Sequence, residues 1–386
     1  MQITQVTTGE LEKVFLELQP RLYKGDPNYI RPLDKDVLDV FDSSKNKFFR
    51  EGNAVRWVLQ NAKGECIGRI AAYVMNKYKN KGDQQPTGCI GFFDCINDQG
   101  AADLLFDTAR NWLVQQGMKA MDGPVNFGER DKWWGLLIEG FVPPLYGMNY
   151  NFPYYKELFE HYGFRVFYKQ NCWWRQLHGQ LDEKFYKGHD TIEKRGGFSA
   201  RMFRKKDLEK FAQDFVKVYN TAWAIHEGNK EMSEQAGLKL FRAMEPVIDE
   251  RLVWFAYYKD QPIAFYINIP DLNQAFRSFN GKFGWLEKFR FLWFQKRGGF
   301  TKFVGIIFGV IPRFHGMGVD YYLIVEAAKI IQFKTNYQET ELQWQGDFNP
   351  KINNISKNLG FKISRQLATY RYLFDRSQPF DRHPII

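Results

Sequence analysis

The stretch Val310-Ile-Pro-Arg-Phe-His-Gly-Met-Gly-Val-Asp320 decides the fold of this chain. An apolar run leads into it, and residues 321–329 follow with the spacing of an amphipathic helix. Gly316 and Gly318 let the backbone turn with its N–H groups facing inward, and a helix N-terminus adds free donors and positive dipole character. The order strand, glycine turn and helix therefore predicts a phosphate-binding loop, with Arg313 as a fixed charge at its rim.

The sequence lacks the motifs of nucleotide hydrolysis, dinucleotide binding, serine nucleophiles and metal sites. No Gly-Lys-Ser/Thr follows the glycine turn, so the loop lacks the apparatus of a nucleotide-hydrolysing P-loop, and the dinucleotide spacing Gly-x-Gly-x-x-Gly also fails. No Gly-x-Ser-x-Gly elbow is present. The six histidines and four cysteines show no metal-ligand spacing, so we expect no metal site and no disulfide framework.

Two landmarks recur along the chain at nearly the same interval. Turns at Gly64 and Asp260 each separate two apolar, β-branched or aromatic runs, which predicts two β-hairpins 196 residues apart. Gly163 and Gly360, 197 residues apart, each follow a helical stretch and precede a phenylalanine that re-enters the core. The repeat predicts a duplicated α/β (α+β) fold, in which each copy is a mixed, mostly antiparallel sheet flanked by helices.

We accordingly predict two domains, residues 1–190 and residues 191–386, joined by a polar linker near 184–197. The first copy carries about twenty extra residues, which fall in the Gly-, Trp- and Pro-rich stretch 126–152. A long aromatic insertion either shapes a pocket or packs beneath its own loop. The side chains that would line a substrate cleft are Trp133, Trp134, Tyr146, Asn149 and Tyr154.

The residues Arg313-Phe-His-Gly-Met-Gly318 resemble the Arg/Gln-x-x-Gly-x-Gly/Ala signature of the GCN5-related N-acetyltransferase (GNAT) superfamily. The order of elements around them resembles that fold across the whole second half, and the first half looks like a second copy, as in tandem GNAT proteins. There the corresponding loop is Asn97-Asp-Gln-Gly-Ala-Ala102, which has one glycine, no arginine, and Asp98 where it would repel a phosphate. The resemblance therefore implies that the second half binds acetyl-CoA or another acyl-CoA.

By this resemblance, the strand before the loop bulges near Val310 and Ile311 and separates from the strand at 342–345, which opens a slot for the thioester. The residues implied in acyl-CoA binding are Val310, Ile311, Arg313, Phe314, His315, Gly316, Met317, Gly318, Val319 and Asn349. The acceptor would be a small amine or a peptide that attacks the thioester carbonyl directly.

Catalysis of this kind needs a base for the ammonium proton and a proton for the departing thiolate. Family members often place a tyrosine four residues before the closing Gly-Phe, but Ser356 occupies that position here. Asp347, Glu341 and a water relay through Gln345 are the candidates for the base. The departure from the family pattern keeps a non-catalytic acyl-CoA-binding protein open beside the predicted N-acyltransferase.

The net charge of +10 lies entirely in the second half, where residues 191–386 carry 30 basic and 20 acidic residues. Seven basic residues and the single acid Glu287 lie between Arg277 and Lys302, and aromatic residues alternate with them. This stretch suits a polyanion, a membrane surface or a covering of the domain interface. It also keeps open a Fem-like peptidyltransferase that uses aminoacyl-tRNA, although nucleic acid is the weaker expectation.

No apolar run approaches the length of a membrane span, and the first residues lack the features of a signal peptide. Together with the few cysteines, this predicts a cytoplasmic protein.

Overall fold

The computed structural model describes residues 1–83, 85–223 and 231–386. The strands among these residues are β1 (Gln2–Gln5), β2 (Gly52–Gln60), β3 (Cys66–Met75), β4 (Thr87–Cys95), β5 (Ala120–Gly123), β6 (Leu136–Glu139), β7 (Arg165–Gln176), β8 (Phe198–Met202), β9 (Val253–Tyr258), β10 (Gln261–Pro270), β11 (Lys302–Val310), β12 (Glu339–Gly346) and β13 (Lys362–Leu373). The helices are α1 (Gly9–Leu22), α2 (Asp34–Phe41), α3 (Gln99–Gln115), α4 (Tyr155–Tyr162), α5 (Glu183–Arg195), α6 (Leu208–Trp223), α7 (Glu234–Met244), α8 (Asn273–Phe276), α9 (Trp285–Lys296), α10 (Val319–Lys334) and α11 (Pro350–Asn358).

The chain forms two units that are discontinuous in sequence. The first unit contains Met1–Trp173, Phe276–Arg290 and Trp344–Ile386, and the second contains Trp174–Ala275 and Phe291–Gln343. The predicted division into residues 1–190 and 191–386 stays a prediction.

The sheet of the first unit begins as an antiparallel meander of β1, β2, β3 and β4. Helix α3 then crosses over to β5, which lies parallel to β4, and β13 closes the sheet antiparallel to β5 and β6. The apolar face of α3, which includes Leu105 and Phe106, packs into a core that also holds Phe159 and Tyr370. Aromatic residues therefore make up a large part of this core.

The sheet of the second unit follows the same plan. Strands β8, β9, β10 and β11 form an antiparallel meander, and α10 crosses over to β12, which lies parallel to β11. Helices α6 and α7 cover one face through Phe215 and Phe241, which pack with Phe255 and Phe265 of the sheet. The two units confirm the predicted duplicated α/β fold with a mixed, mostly antiparallel sheet.

Both predicted helix stops are confirmed. Gly163 has φ +107° at the end of α4, and Gly360 has φ +77° two residues after α11. This left-handed conformation strains any residue with a Cβ atom, so glycine is the residue that ends these helices without strain. The hairpins are confirmed as well, because β2 pairs with β3 and β9 pairs with β10.

The predicted linker at 184–197 is wrong, because α5 occupies Glu183–Arg195. Its buried residues are Phe185, His189 and Ile192, which recur every three or four positions. A helix needs only this narrow apolar stripe to pack, so the polar composition of the remaining positions hides it.

None of the helices formed by the described residues combines the length and the apolar character that a membrane span requires.

Candidate functional site

The parallel pairing of β11 and β12 ends at Gly305 and Leu342. Strand β11 nevertheless continues to Val310 on its other edge, where it stays paired with β10. Beyond Gly305 the edge that faced β12 thus has no strand partner among the described residues, and its backbone groups are available to a ligand. The separation predicted near residues 342–345 is present.

A bulge in β11 lies at Ile306, where the register with β10 passes from Ile307 opposite Ile267 to Gly305 opposite Asn268. The predicted bulge at Val310 and Ile311 is therefore wrong. Val310 pairs in register with Ala264, and the Ile311 amide donates to the Ile263 carbonyl at 2.9 Å. The extra residue bends the strand just after the point where β12 leaves it.

The loop after β11 is held to its own unit by two residues. Phe314 is buried, and its ring lies 5.6 Å from that of Tyr258 and 6.0 Å from that of Phe198. His315 Nε2 donates to the Val310 carbonyl oxygen at 2.8 Å. These contacts leave Arg313 exposed on a short 3₁₀ turn that spans Pro312–Phe314.

The two loop glycines occupy the left-handed region that glycine favours. Gly316 has φ +70° and Gly318 has φ +94°, and Gly318 is the N-cap residue of α10. No atom lies within 4 Å of the position that a Cβ atom of Gly316 would take. No described residue accepts a hydrogen bond from the amide of Gly316 or Gly318, and no side chain caps the helix. At Gly318 the Cβ position would lie 3.4 Å from the Gly188 carbonyl oxygen, so the open space is on the Gly316 side of the loop. Amides without an acceptor beside an uncapped helix N-terminus suit an anionic group such as a diphosphate.

The equivalent helix of the first unit begins differently. Asp98 is the N-cap of α3, and its carboxylate accepts a hydrogen bond from the Ala101 amide at 2.7 Å. The helix N-terminus is therefore neutralised by a side chain of the protein itself. Of the two crossover helices, only α10 presents an uncapped N-terminus.

Ser356 and Gln345 of the first unit are in contact. Ser356 is buried, its Oγ donates to Gln345 Oε1 at 3.0 Å, and Gln345 Nε2 donates back to Ser356 Oγ at 2.9 Å. The two residues thus tie α11 to the end of β12. Whether they take part in proton transfer stays a prediction.

The other residues predicted near the reaction carry structural contacts. The Asp347 carboxylate accepts hydrogen bonds from the Lys169 amide at 3.0 Å and from Arg382 at 2.6 Å. Asn349 caps α11 by accepting from the Ile352 amide at 3.2 Å. In the second unit, Glu341 is fully buried and forms an ion pair with Lys302 at 2.5 Å. If Asp347 or Glu341 is the catalytic base, its carboxylate accepts the proton while it also keeps these contacts.

Three of the five predicted cleft residues line cavities of the first unit, and they line two cavities instead of one. Trp134 lines a cleft of about 360 Å³ together with basic residues and Tyr78. Trp133 and Asn149 line a smaller cavity of about 50 Å³. Tyr146 donates a hydrogen bond to Asp36, and Tyr154 donates to the Cys95 carbonyl at 2.7 Å. The two tyrosines are thus bonded within the fold, while Trp133, Trp134 and Asn149 lie at cavity walls.

One group with metal-ligand character is found among the described residues. His189, Asp190 and Glu193 offer ligand atoms within 4.8 Å of one another. However, His189 Nε2 donates to Glu326 Oε1 at 2.8 Å, which links α5 to α10. The imidazole is therefore already used as a link between two helices of the second unit.

Similar chains are known from both structure and sequence. A tandem GNAT protein from the clavulanic acid biosynthesis pathway has a TM-score of 0.53 and 11% identity, with 98% of this chain and 99% of that chain covered. The fold is a tandem GNAT fold. A GCN5-related glucosamine N-acetyltransferase region of a fungal multi-domain β-N-acetylglucosaminidase has a TM-score of 0.54 and 11% identity. That match covers 96% of this chain, which spans 38% of the length of the fungal protein.

Two curated proteins align with this GNAT-fold chain over nearly its full length. One is named bacterial ceramide synthase, from Caulobacter vibrioides (strain NA1000 / CB15N), with 26% identity over 376 residues, or 95% of this chain and 94% of the relative. The other is Protein YghO of Escherichia coli (strain K12), with 25% identity over 366 residues, or 93% and 92% of the two chains. No protein-family profile matches the chain.

The bulge at Ile306 and the cap at Asp98 are the features of this site that sequence reasoning missed. The sequence does contain a signal for the cap, because aspartate directly before a helical stretch is one of the preferred N-cap residues. The position of the bulge depends on the register with β10, which no local pattern fixes.

Proposed function

We propose that the chain is an acyl-CoA-dependent N-acyltransferase. The observation that carries this proposal is the uncapped N-terminus of α10 at Gly318, placed directly after a strand that has lost its parallel neighbour beyond Gly305. Free amides suit the diphosphate of CoA, and an open strand edge offers hydrogen bonds to the amide groups of its pantetheine arm. The tandem GNAT fold supports the same reaction class.

The loop residues would bind and orient the donor. The amides of Gly316 and Gly318 would hold the diphosphate, and Arg313 would add a charge-assisted hydrogen bond at the rim. The open edge of β11 near Ile306 would align the thioester. Exact positioning of two reactants accounts for a large part of the rate enhancement in reactions of this type.

The transfer releases one proton overall. The acceptor nitrogen gives up a first proton from its ammonium form, attacks the thioester carbonyl carbon and forms the C–N bond. As the C–S bond breaks, the nitrogen loses a second proton, and the departing thiolate takes up one proton and leaves as the thiol of CoA. We propose Asp347 or a water held by Gln345 as the base that takes the ammonium proton. We propose Ser356, which stands where family members often carry a tyrosine, as the donor of the proton to the thiolate.

The acceptor proposal rests on the relative named bacterial ceramide synthase. A ceramide is the N-acylated form of a long-chain amino alcohol, so we propose such an amine as acceptor and a long acyl chain on the donor. Acetyl-CoA with a small amine is the second candidate, because the tandem GNAT architecture also suits it. We keep a cytoplasmic location as part of the proposal, since all four cysteines are free thiols buried in the fold.

The decisive experiment measures CoA thiol release and product mass with a panel of amines. We expect palmitoyl-CoA and a long-chain amino alcohol to give thiol and amide in equal amounts, and Gly316→Asp to lower the rate of both by at least about tenfold at subsaturating donor. The charge reversal Lys217→Glu on the exposed side of α6 is the matched control and should leave the rate unchanged. CoA binding without turnover would instead indicate a non-catalytic binding protein, and turnover of aminoacyl-tRNA would indicate the Fem-like alternative.

A further inference from the structure

Helix α9 exposes a row of large apolar side chains. Trp285 is 82% exposed and Phe289 is 66% exposed, and about half of each remaining side chain in the row is accessible: Leu286, Leu292 and Trp293. Positions i, i+1, i+4, i+7 and i+8 fall on one side of a helix with 3.6 residues per turn. Soluble proteins rarely leave such a contiguous apolar surface free, and where they do, it marks an interaction site.

The exposed row is separate from the face that packs the helix. Phe291 is buried with its ring 5.8 Å from that of Phe300, and the Phe294 ring lies 4.9 Å from the same partner. Helix α9 therefore has two apolar faces, and its packing uses only one of them. The row led by Trp285 and Phe289 is not needed to hold the helix in place.

Basic side chains border the exposed row. Lys288 lies on one flank and Arg290 on the other, and the Arg297 guanidinium lies 4.1 Å from the Trp293 ring centre. The one acid, Glu287, accepts a hydrogen bond from the Gly284 amide at 2.9 Å, at the start of the helix. The exposed charges of this helix and its flanks are positive: Arg277, Lys282, Lys288, Arg290, Lys296 and Arg297.

We infer that α9 docks this protein onto an anionic phospholipid membrane. Trp, Phe and Leu side chains would enter the boundary between headgroups and acyl chains, while the flanking Lys and Arg side chains would contact the phosphates. The inference goes beyond the proposed function and does not rest on it, because only the surface of α9 carries it.

Charge and side-chain type favour a membrane over the other occupants. A second copy of this chain would bring the same excess of positive charge to the contact, and like charges across an interface are unfavourable. Single-stranded nucleic acid binds by stacking bases on aromatic rings, but Leu286 and Leu292 offer no stacking surface. Aliphatic and aromatic side chains flanked by cations match a lipid surface best.

The test is co-sedimentation of the full-length protein with vesicles. We expect strong binding to mixed phosphatidylglycerol–phosphatidylcholine vesicles and weak binding to pure phosphatidylcholine. The double substitution Trp285→Ser/Phe289→Ser should weaken the binding by about tenfold or more. Phe333→Ser, which removes an 80% exposed aromatic ring from α10, is the matched control and should bind as the wild type does.

A second variant tests the charges and does not alter the apolar row. Lys288→Gln/Lys296→Gln should lower binding to the anionic vesicles, and added salt should have the same effect on the wild type. Failure of the wild type to sediment, or equal binding by wild type and Trp285→Ser/Phe289→Ser, would overturn the inference. A dimer that dissociates in that variant, or retention of a single-stranded oligonucleotide instead of vesicles, would also overturn it.

Discussion

The Asp98 carboxylate accepts a hydrogen bond from the Ala101 amide at 2.7 Å, at the N-terminus of α3. The corresponding helix of the second unit, α10, begins at Gly318 without a side-chain cap. The two crossover helices of the duplicated fold thus differ in whether a side chain caps the N-terminus. One N-terminus is closed by a negative side chain, and the other has no side-chain cap, which is the feature on which the proposed CoA site rests.

Removal of the Asp98 cap should affect stability without affecting CoA binding. We expect Asp98→Ala to lower the free energy of unfolding by about 1 kcal/mol, since one helix donor loses its acceptor. Urea denaturation measures this change, and calorimetric titration with CoA measures affinity. Asp98→Asn keeps a capping oxygen and should retain most of the stability. A loss of CoA affinity in Asp98→Ala would contradict the assignment of the site to α10.

The close approach of Gly305 to Leu342 should make position 305 intolerant of a side chain. A Cβ atom at Gly305 would lie 2.6 Å from Leu342 Cδ2, so we expect Gly305→Ala to cost about 1–3 kcal/mol of stability. Leu342→Ala in the same chain should recover part of that cost. The control is Gly9→Ala, because no atom lies within 4 Å of the Cβ position at Gly9. Strict additivity of the 305 and 342 substitutions would show that the two residues do not touch.

The sequence predicts the elements of this fold better than their relation to one another. Gly163 and Gly360 could be identified as helix stops because a left-handed residue after a helix has a strong local signal. Helix α5 was missed because Phe185 and Ile192 form only a narrow stripe among polar residues. The bulge at Ile306 was placed wrongly because the register of two strands is a property of both. The glycine loop between β11 and α10 could be predicted, since all of its residues are consecutive in the sequence.

The hydrogen-bonded pair of Ser356 and Gln345 should contribute to stability. We expect Ser356→Ala to lower the free energy of unfolding by about 1–3 kcal/mol, because it leaves a polar group of Gln345 without its buried partner. The double variant Ser356→Ala/Gln345→Ala removes both members and should cost less than the sum of the single changes. If Ser356 also protonates the thiolate, kcat falls at temperatures where the variant is fully folded. Unchanged urea unfolding of Ser356→Ala would show that the pair is not formed.

The contact between α5 and α10 should weaken in acid. Burial tends to raise the pKa of Glu326, but hydrogen bonds from Lys329 and His189 hold it below the ordinary value of 4.5. Because the folded pKa lies below the unfolded one, this carboxylate stabilises the fold above pH 4.5, and the contribution is lost as the pH falls through the folded pKa. We expect Glu326→Gln to be less stable than the wild type at neutral pH by roughly 0.5–1.5 kcal/mol.

Urea denaturation across the acid range checks this prediction. The difference between wild type and Glu326→Gln should shrink as the pH drops below 4.5. Glu183→Gln, on the exposed side of α5 and paired with Lys187, is the control and should follow the wild type. A difference that stays constant with pH would contradict the assignment of the effect to the Glu326 carboxylate.

The most direct test of the whole account is the affinity of CoA for three proteins, measured by calorimetric titration. Gly316→Asn and Gly316→Asp add side chains of nearly equal size at a position with open space, and both tolerate its left-handed backbone better than most residues. They differ in charge. We predict that Gly316→Asp binds CoA at least about tenfold more weakly than Gly316→Asn, a difference of about 1.4 kcal/mol. Equal CoA affinity of the two variants would contradict a diphosphate site at the start of α10.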